Sequence, residues 1–399
     1  MQIAFVLSQS LDSPSGLGRY GPLARELARA GHSIDVLALH YAWQQLPGKT
    51  FTESGVRVSY VGQMHVRKAG SYKSYYGPIG LLAVSLASTL RLARAVAQSD
   101  AEIIQLCKPQ PINALAVKLG SRGRRIYCDC DDYEAATNRF GAEWQRRVVR
   151  YFEDDVVRYA AGLTVNTQFT LQRYGALGFP VSRIRYVPNG VERVRFMRQS
   201  DLARLRQQLQ IGESEPVIAY IGTLGLLSHP VDLLLEAFQK IMRQVPQARL
   251  LLVGGGEDYD RVQQIAGQLG IRERTIFAGR VLPEEVPDYL RLAAVSVDPV
   301  RDDLIAKARS PLKVLESLAV GVPVVTSDVG DRRVLLRNGE LGLLVAAGDS
   351  EALADGLLAV LRDTARRARM SEAALKYRET CYWDRLTDDF AQVYEINPC

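Results

Sequence analysis

Residues 307–316 combine several cations, a predicted helix start and a carboxylate within a short stretch. Ser310 is a favourable N-cap and Pro311 a favourable first helical residue, so the pattern predicts a helix that begins there. Free backbone N–H groups and the helix dipole at such a start attract anions. Lys313 and Glu316 lie three residues apart and therefore share a helix face. The residues expected around a bound anion are Lys307, Arg309, Ser310, Pro311, Leu312 and Lys313.

This arrangement suits a nucleotide diphosphate, because amides and cations would hold the phosphates while Glu316 accepts both ribose hydroxyl protons. The alternative is a capped surface helix that carries a solvated Lys–Glu pair. The convergence of cap, cations and carboxylate favours the binding site.

Three aspartates end a predicted strand of the first half of the chain, namely Asp129, Asp131 and Asp132. Such a cluster could chelate a divalent metal, although paired aspartates are common. Carboxylates also accept strong hydrogen bonds from hydroxyl groups. We therefore favour binding of an acceptor hydroxyl, with no metal.

Glycines follow predicted strands at two further places. Gly16 and Gly18 lie between the first strand and a helix, where they suit either an approaching phosphate or a tight turn with positive φ. The segment is neither G-x-G-x-x-G nor a Walker loop, which disfavours a dinucleotide dehydrogenase. Gly254 opens a second glycine run that either lines a pocket or simply turns the chain.

The elements that must position these residues form two sets within 399 residues. Short apolar β-branched runs alternate with amphipathic segments, which indicates parallel sheets covered by helices on both faces. The alternation ends near 190 and then restarts, which predicts two doubly wound α/β domains with the ligand in the cleft between them. We place the domains at 1–192 and 193–376, followed by a terminal helix in 377–399.

The predicted strands of the first domain are Ile3–Leu7, 34–39, 56–61, Ile103–Cys107, 125–129, Gly162–Val165 and 184–187. Those of the second are Val217–Ile221, Arg249–Val253, 275–277, Val295–Asp298, 322–326 and 343–345.

Composition narrows the class of protein. The chain is 47% hydrophobic and 24% charged, which excludes intrinsic disorder and a polytopic membrane protein. Cysteines 107, 128, 130, 381 and 399 lack zinc-ligand spacing and indicate buried thiols in a reducing, cytoplasmic protein. We expect no signal peptide, and the apolar run 79–90 is too short to span a bilayer.

Several motifs resemble the retaining family 4 glycosyltransferases of the GT-B architecture. They occur in the family's order along nearly the whole chain. The quoted segments are 16–19 with 27–32 (a glycine loop and a helix ending in Gly-His), 186–191 (Tyr-Val-Pro-Asn-Gly-Val), 220–224 with 232–238, 252–256, 277–281, and 316–325 (Glu-Ser-Leu-Ala-Val-Gly-Val-Pro-Val-Val). The resemblance implies that the terminal helix crosses back to the first domain.

The chain also departs from the family pattern. The donor-phosphate arginine falls at Thr223 and the family lysine near Ser228 or His229. The first glutamate of E-x7-E falls at Ala308, and the first-domain histidine at Cys107. We expect nearby cations to supply the missing clamp, and the candidates are Arg301, Lys307, Arg309 and Lys313.

The resemblance implies that a sugar passes from a nucleoside diphosphate sugar to an acceptor with retention of configuration, without a metal or other cofactor. Lys108, Asp131, Asp132 and Lys313 would act at the reacting groups. The implied donor contacts are Gly16, Gly18, Gly222, Thr223, Gly254, Arg280, Arg309, Ser310, Pro311, Leu312, Lys313 and Glu316. Two alternatives are a nucleotide-sugar-binding pseudoenzyme, motivated by the missing residues, and a nucleotide-sugar epimerase.

Charge is unevenly distributed. Residues 1–190 carry 23 Lys and Arg against 14 Asp and Glu, whereas residues 191–399 carry 27 against 30. Basic and aromatic residues at 65–76 precede the apolar run 79–90 and the cations Arg91 and Arg94. This pattern suits either a core helix with a basic end or shallow docking on an anionic membrane. We expect a saccharide or lipid-linked acceptor, a protein peripheral to the inner face of the membrane, and no nucleic-acid partner.

Overall fold

The computed structural model describes residues 1–69, 72–138, 140–198 and 200–396. The chain divides into two compact units. Unit 1 comprises Met1–Gly190, Ala308–Ser310 and the segment from Trp383 onward, and unit 2 comprises Val191–Lys307 and Pro311–Tyr382. The divisions after Gly190 and Tyr382 fall a few residues from the predicted boundaries at 192 and 376.

Unit 1 contains an eight-stranded sheet in the order β10-β9-β8-β7-β1-β2-β4-β3, parallel except for the edge strand β3. Strands β5 and β6 pair with each other in a separate antiparallel two-stranded sheet. The strands are β1 Gln2–Leu7, β2 Ser33–His40, β3 Thr50–Glu53, β4 Val56–Gln63, β5 Val66–Ala69, β6 Tyr72–Tyr75, β7 Ile103–Cys107, β8 Arg125–Cys130, β9 Gly162–Val165 and β10 Ile184–Tyr186.

Helices cover both faces of this sheet because successive side chains of its strands enter two different cores. In β1, Ala4 and Val6 join one cluster, while Ile3, Phe5 and Leu7 join the other. The helices are α1 Gly21–Arg29, α2 Pro78–Gln98, α3 Pro111–Gly120, α4 Glu134–Thr137, α5 Glu143–Asp155 and α6 Gln168–Ala176.

Helix α2 is longer than the apolar run that predicted it. It spans 21 residues and, by length and composition alone, could cross a membrane, so the prediction of too short a segment was wrong. One side of α2, including Leu92 and Val96, is nevertheless buried in unit 1, where the helix packs on α3. A core helix passes the same test of length and composition.

Unit 2 contains a parallel six-stranded sheet in the order β13-β12-β11-β14-β15-β16. Its strands are β11 Val217–Ile221, β12 Arg249–Val253, β13 Thr275–Gly279, β14 Val295–Asp298, β15 Val324–Ser327 and β16 Gly342–Val345. Its helices are α7 Arg193–Met197, α8 Leu202–Gln208, α9 Val231–Gln244, α10 Tyr259–Gln268, α11 Val286–Arg291, α12 Leu304–Lys307, α13 Leu312–Ala319, α14 Arg332–Leu335, α15 Ser350–Arg362 and α16 Thr364–Tyr377. The two sheets confirm the prediction of two doubly wound Rossmann-like domains.

The last helix, α17 Trp383–Ala391, belongs to unit 1. Its Trp383 and Phe390 are buried with Phe5 of β1 in one core. Tyr394, in the turn after α17, donates a 2.9 Å hydrogen bond to the Gln105 side chain. The segment 383–394 is thereby fixed to the sheet of unit 1.

The cysteines at 107, 128, 130 and 381 are buried and form no disulfide, as the sequence predicts. Cys399 lies outside the described residues, as do the side chains of Lys68, Tyr72, Lys73 and Tyr75 from the predicted basic and aromatic segment.

Candidate active site

The predicted site residues fall into two clusters, one near the carboxyl ends of the strands in each unit. In unit 1, the glycine loop is a π-helical turn, Gly16–Tyr20. Neither Gly16 nor Gly18 has positive φ, so the tight-turn explanation was wrong. A Cβ on Gly16 would lie 2.4 Å from the carbonyl oxygen of Leu11, which makes close backbone packing the reason for glycine there.

This turn delivers Arg19 into the interior, where it forms a bidentate ion pair with Asp129. Both side chains are buried, and Nε–Oδ2 and Nη2–Oδ1 each measure 2.7 Å. Burial opposes the charge on Arg19, but Asp129 outweighs that effect and raises the pKa of the guanidinium. Thr164 donates a further 2.6 Å hydrogen bond to Asp129.

Both oxygens of Asp129 are therefore occupied by Arg19 and Thr164, and Asp129 does not form one ligand set with Asp131 and Asp132. Among the residues described, no group of three His, Cys, Asp or Glu side chains is arranged to hold a metal ion. The cluster thus reduces to two aspartates at the end of β8.

Lys108 follows β7 in a left-handed backbone conformation, with φ of 66°. Non-glycine residues rarely adopt this conformation unless surrounding contacts impose it. Asn113 supplies such contacts, donating from Nδ2 to the carbonyl oxygens of Cys107 and Lys108 at 2.8 and 3.2 Å. The buried Lys108 ammonium then lies 2.6 Å from Glu134 and 3.2 Å from Asp131.

These carboxylates and the ammonium alter one another's ionisation. Burial disfavours the charge on Lys108, but Asp131 and Glu134 outweigh it and raise its pKa. Burial raises the pKa of Asp131 to about 7, against the opposing effect of Lys108. Burial also raises the pKa of Asp132, whose Oδ1 accepts a 3.0 Å hydrogen bond from Thr137. Asp131 is therefore a carboxyl group that can change protonation near neutral pH.

In unit 2, Lys313 lies on α13 beside the carboxyl end of β11. Its ammonium nitrogen is 3.1 Å from Asp298 Oδ1 and 4.9 Å from the centre of the Tyr220 ring. Its Cε lies 3.1 Å from where a Cβ on Gly222 would stand. Gly222 directly precedes Thr223, the position at which the family arginine is missing. Lys313 therefore places a positive charge next to the vacated position.

The partly buried Lys313 is held by a network with the buried side chains of Asp298 and Arg332. Asp298, at the end of β14, also accepts a 2.8 Å hydrogen bond from Arg332 Nε. Burial opposes ionisation of Asp298, but Lys313 and Arg332 together bring its pKa well below the usual range. Arg332 donates further bonds to the carbonyl oxygens of Ala306 and Val329.

The start of α13 differs from the prediction. The helix begins at Leu312 with Pro311 at the N-cap and no capping side chain. Ser310 instead contacts Asn189, whose backbone N–H donates to Ser310 Oγ at 3.1 Å and whose Nδ2 donates to Ser310 O at 2.9 Å. The predicted N-cap role of Ser310 was wrong because this long-range pairing takes its side chain.

Glu316 is buried on α13 and paired with Arg195 of α7. Arg195 Nη2 lies 2.7 Å from Glu316 Oε1. Burial raises the pKa of Glu316, while Arg195 and then Lys313 lower it. The predicted ribose-binding carboxylate thus has a partner that sequence reasoning missed.

The glycines at the ends of neighbouring strands pack backbone against backbone. Gly254 has φ of 136°, and a Cβ there would lie 1.9 Å from the carbonyl oxygen of Gly222. Thr223 is exposed, and its carbonyl oxygen accepts a 2.7 Å hydrogen bond from Tyr220. The exposed Arg280 lies against Gly255.

The other candidate cations are placed differently. Lys307 is paired with exposed Asp302 at 2.7 Å, and Arg301 with Asp232 at 2.6 Å. Arg309, which belongs to unit 1, lies close enough to Asp132 to favour its ionised form. Of the four cations expected to replace the family arginine, Lys313 is the one whose described contacts place it beside Gly222.

Sequence reasoning assigned no site role to Arg19, Glu134, Asp298 or Arg332, which are members of these clusters. Asp298 carried one usable signal, because it ends a predicted apolar strand as Asp129 does. The two arginines had none, since nothing local distinguishes a buried arginine from a solvated one.

Two domain models match the chain. Residues 15–190 match the glycosyl transferase 4-like domain, and residues 201–377 match the glycosyl transferases group 1 domain. A D-inositol 3-phosphate glycosyltransferase of Acidothermus cellulolyticus is 32% identical over 259 residues, which are 62% of this chain and 56% of that protein. The matched segment thus spans little more than half of that relative.

A GDP-mannose-dependent alpha-(1-6)-phosphatidylinositol monomannoside mannosyltransferase of Mycobacterium tuberculosis is 26% identical, over 81% of this chain and 83% of that protein. Among solved structures, the sucrose-phosphate synthase of Thermosynechococcus elongatus has a similar fold, with a TM-score of 0.78 and 20% identity over 99% of this chain and 98% of that one.

The two Rossmann-like sheets, the two domain matches and the fold similarity define a glycosyltransferase of the GT-B class. Within that class, the chain is a family 4-like protein.

Proposed function

We propose that the chain transfers a glycosyl group from a nucleoside diphosphate sugar to a hydroxyl of a saccharide or lipid-linked acceptor, with retention of configuration. The observation that carries this proposal is the position of Lys313, held by Asp298 and directed toward Gly222. A fixed cation next to the empty arginine position can take over the task of the missing residue.

In the proposed reaction, negative charge develops on the leaving diphosphate. Preorganised cations and amides in a site of low dielectric stabilise such charge strongly. Lys313 and the backbone N–H groups at the start of α13 would supply this stabilisation, and Glu316 would accept the ribose hydroxyls. The segment 277–281, including Arg280, would contact the base. The scheme draws its positive charge from protein groups and requires no metal.

Unit 1 would hold the acceptor. Asp131 and Asp132, at the end of β8, would accept hydrogen bonds from its hydroxyls, and Lys108 would face the reacting sugar or phosphate. The name of the mycobacterial relative specifies GDP-mannose and a phosphatidylinositol monomannoside, which supports a nucleotide sugar and a lipid-linked acceptor for this chain.

A mass-spectrometric screen over UDP-, GDP-, ADP- and dTDP-sugars tests the function. Each donor is incubated with and without pooled saccharide and lipid-linked acceptors, and the anomeric configuration of any product is read by NMR. We expect an acceptor-dependent product with the anomeric configuration of the donor. Nucleotide binding without turnover would instead support a pseudoenzyme, and a product formed without acceptor would support an epimerase.

We also propose that unit 1 docks on an anionic membrane through an apolar–basic surface formed by α2, α3 and α5. Its exposed apolar side chains are Ile79, Leu82, Leu86, Leu90, Leu115, Leu119, Trp144, Val148 and Tyr151. Its exposed cations are Arg91, Arg94, Arg146, Arg147 and Arg150, and Arg122 is exposed in the turn that follows α3. Apolar side chains bordered by arginines, with a Trp and a Tyr among them, suit the headgroup region of a bilayer. Such docking would keep the protein at the inner face of the membrane.

Flotation with phosphatidylglycerol-containing vesicles tests this surface. We expect the wild-type chain to float at low salt, and less as salt screens the arginines. The double variant Leu90→Ser/Trp144→Ala should remain in solution. Leu282→Ser removes an equally exposed leucine of unit 2 and serves as the control, because Leu90 and Leu282 are both 64% exposed. Failure of the wild-type chain to float would reject docking.

A further inference from the structure

The ion pair between Arg195 and Glu316 joins the first helix of unit 2 to the carboxylate proposed to bind ribose. The two side chains are 17% and 10% exposed, and only Nη2 and Oε1 are joined, at 2.7 Å. Glu316 Oε2 has no contact described with Arg195. A carboxylate held by one oxygen can still present the other to a ligand.

The backbone that carries Arg195 is firmly anchored. The next residue, Phe196, is buried in the same core as Val314 and Leu315 of α13. The carbonyl oxygen of Phe196 accepts a hydrogen bond of 2.5 Å from Arg291. Because this backbone is anchored, the guanidinium of Arg195 is held beside α13. Its ion pair with Glu316 therefore restricts the rotamers that Glu316 can adopt.

The pair is poorly explained as a stabilising contact. Arg195 Nε is buried and has no hydrogen-bond partner among the described residues. An unsatisfied buried donor is costly, and buried ion pairs contribute little net stability once desolvation is counted. An incompletely satisfied arginine beside a proposed ligand group fits a role in recognition better.

We infer that Arg195 is a positioning residue for the donor, fixing Glu316 so that its free oxygen accepts the ribose hydroxyls of the nucleotide. This inference rests on the proposed function and adds a residue to it. Arg195 acts through Glu316. Its replacement should therefore lower the affinity only for ligands that carry the ribose hydroxyls bound by Glu316.

Paired nucleotides isolate this effect. Calorimetry with UDP, GDP and their 2′-deoxy and 3′-deoxy counterparts measures the ribose preference of the wild-type chain and of Arg195→Met, Arg195→Lys and Glu316→Gln. Arg193→Met is the matched control, because Arg193 lies on the same helix but pairs with exposed Glu379 and stacks on Tyr382. Circular dichroism confirms that each variant is folded.

We expect the wild-type chain to prefer a ribonucleotide about tenfold or more over at least one deoxy form, as for a charge-assisted hydrogen bond. Arg195→Met and Glu316→Gln should lose most of that preference while binding the deoxy form about as tightly as the wild type. Arg195→Lys should keep part of the ribose preference, and the control Arg193→Met should keep all of it.

Equal weakening of ribo and deoxy ligands by Arg195→Met would overturn the inference, because it would indicate general electrostatic or structural support. An unchanged preference in that variant would also overturn it. A wild-type chain that binds no nucleoside diphosphate would instead overturn the proposed function itself, and the inference with it.

Discussion

The ammonium group of Lys313 and the carboxylate of Asp298 form a partly buried ion pair, with Nζ 3.1 Å from Oδ1. The pair joins the first turn of α13 to the end of β14. The second oxygen of Asp298 is taken by buried Arg332, so two cations converge on one carboxylate. Lys313, with 14% of its side chain exposed, is the member of the network that reaches solvent, where an anion can contact its ammonium group.

We expect Lys313→Met to lower kcat/KM for the donor by roughly 100- to 1,000-fold, the usual effect of removing one preorganised group that stabilises transition-state charge. Steady-state kinetics with the donor found in the screen measures this loss. Lys376→Met removes an exposed lysine paired with Glu372 and should change kcat/KM less than twofold. Normal kinetics in Lys313→Met would show that Lys313 does not replace the family arginine that is missing at Thr223.

Replacing Asp298 should instead destabilise unit 2. In Asp298→Asn, Arg332 keeps its charge in a site where only 2% of its side chain is exposed, and it loses its counter-ion. Breaking a buried pair in this way costs about 3–5 kcal/mol of unfolding free energy. Urea denaturation measures the loss, and Asp328→Asn is the control because Asp328 pairs with Arg333 at the surface. A loss below about 1 kcal/mol would contradict the prediction.

The same carboxylate makes a definite prediction about acid. The pKa of Asp298 is lowered on folding because Lys313 and Arg332 outweigh the effect of burial. Stability from such a group is complete above its unfolded pKa, about 3.9, and is lost as the pH falls below that value. The stability difference between wild type and Asp298→Asn should therefore be constant from pH 5 to 7 and shrink below pH 4. A difference that grows in acid would contradict this assignment.

Much of this fold could be predicted from periodicity alone. Strand β11 was predicted as Val217–Ile221 and is observed with the same bounds, because a short continuous apolar run is typical of a strand buried on both faces. Strand β3 was not predicted, because all four of its residues are exposed at the sheet edge and show no alternation. The amphipathic pattern of α16 is weaker, with Met370 and Ala374 as its buried residues, and this helix was also missed.

The site was less predictable because its contacts join residues far apart in sequence. Lys313 and Glu316 were found from their spacing on one helix face. Their partners Asp298 and Arg195 depend on tertiary structure, and Arg195 is 121 residues from Glu316. Ser310 shows the converse error: a good local cap residue was drawn into a contact with Asn189, which is equally distant.

Asp131 should give the reaction a pH dependence near neutrality. Its pKa is raised to about 7 by burial, with Lys108 opposing, Asp129 adding to the rise, and Arg19 and Asp132 acting in opposite directions. Only the ionised carboxylate accepts hydrogen bonds at both oxygens, so kcat/KM for the acceptor should rise as the pH increases through about 7.

The profile is measured from pH 5.5 to 9 with the donor and acceptor identified in the screen. Asp131→Asn should have low activity and lack the rising limb. Asp154→Asn, which changes a half-exposed partner of Arg173, should retain it. A rising limb that persists in Asp131→Asn would assign the titration to another group.

Gly254 offers a test of how tightly the strand ends must pack beside the donor site. In Gly254→Ala, the new Cβ would lie 1.9 Å from the carbonyl oxygen of Gly222, and the φ of 136° disfavours any side chain. Backbone cannot yield as a flexible side chain can, so β11 and β12 must separate at their carboxyl ends. We expect a loss of more than about 2 kcal/mol in urea unfolding, together with weakened nucleotide binding.

Gly267→Ala is the matched comparison, because Gly267 lies in α10 and a Cβ there meets nothing within 4 Å. Alanine restricts the unfolded chain and favours the helix, so this variant should gain about 0.5–1 kcal/mol. The two substitutions are chemically identical and differ only in surroundings, so opposite signs would trace the effect of Gly254 to its contact with Gly222. If Gly254→Ala were as stable as Gly267→Ala, β11 and β12 could separate at their carboxyl ends without cost. The close packing of Gly254 on Gly222 would then not be what fixes Gly222 beside Lys313.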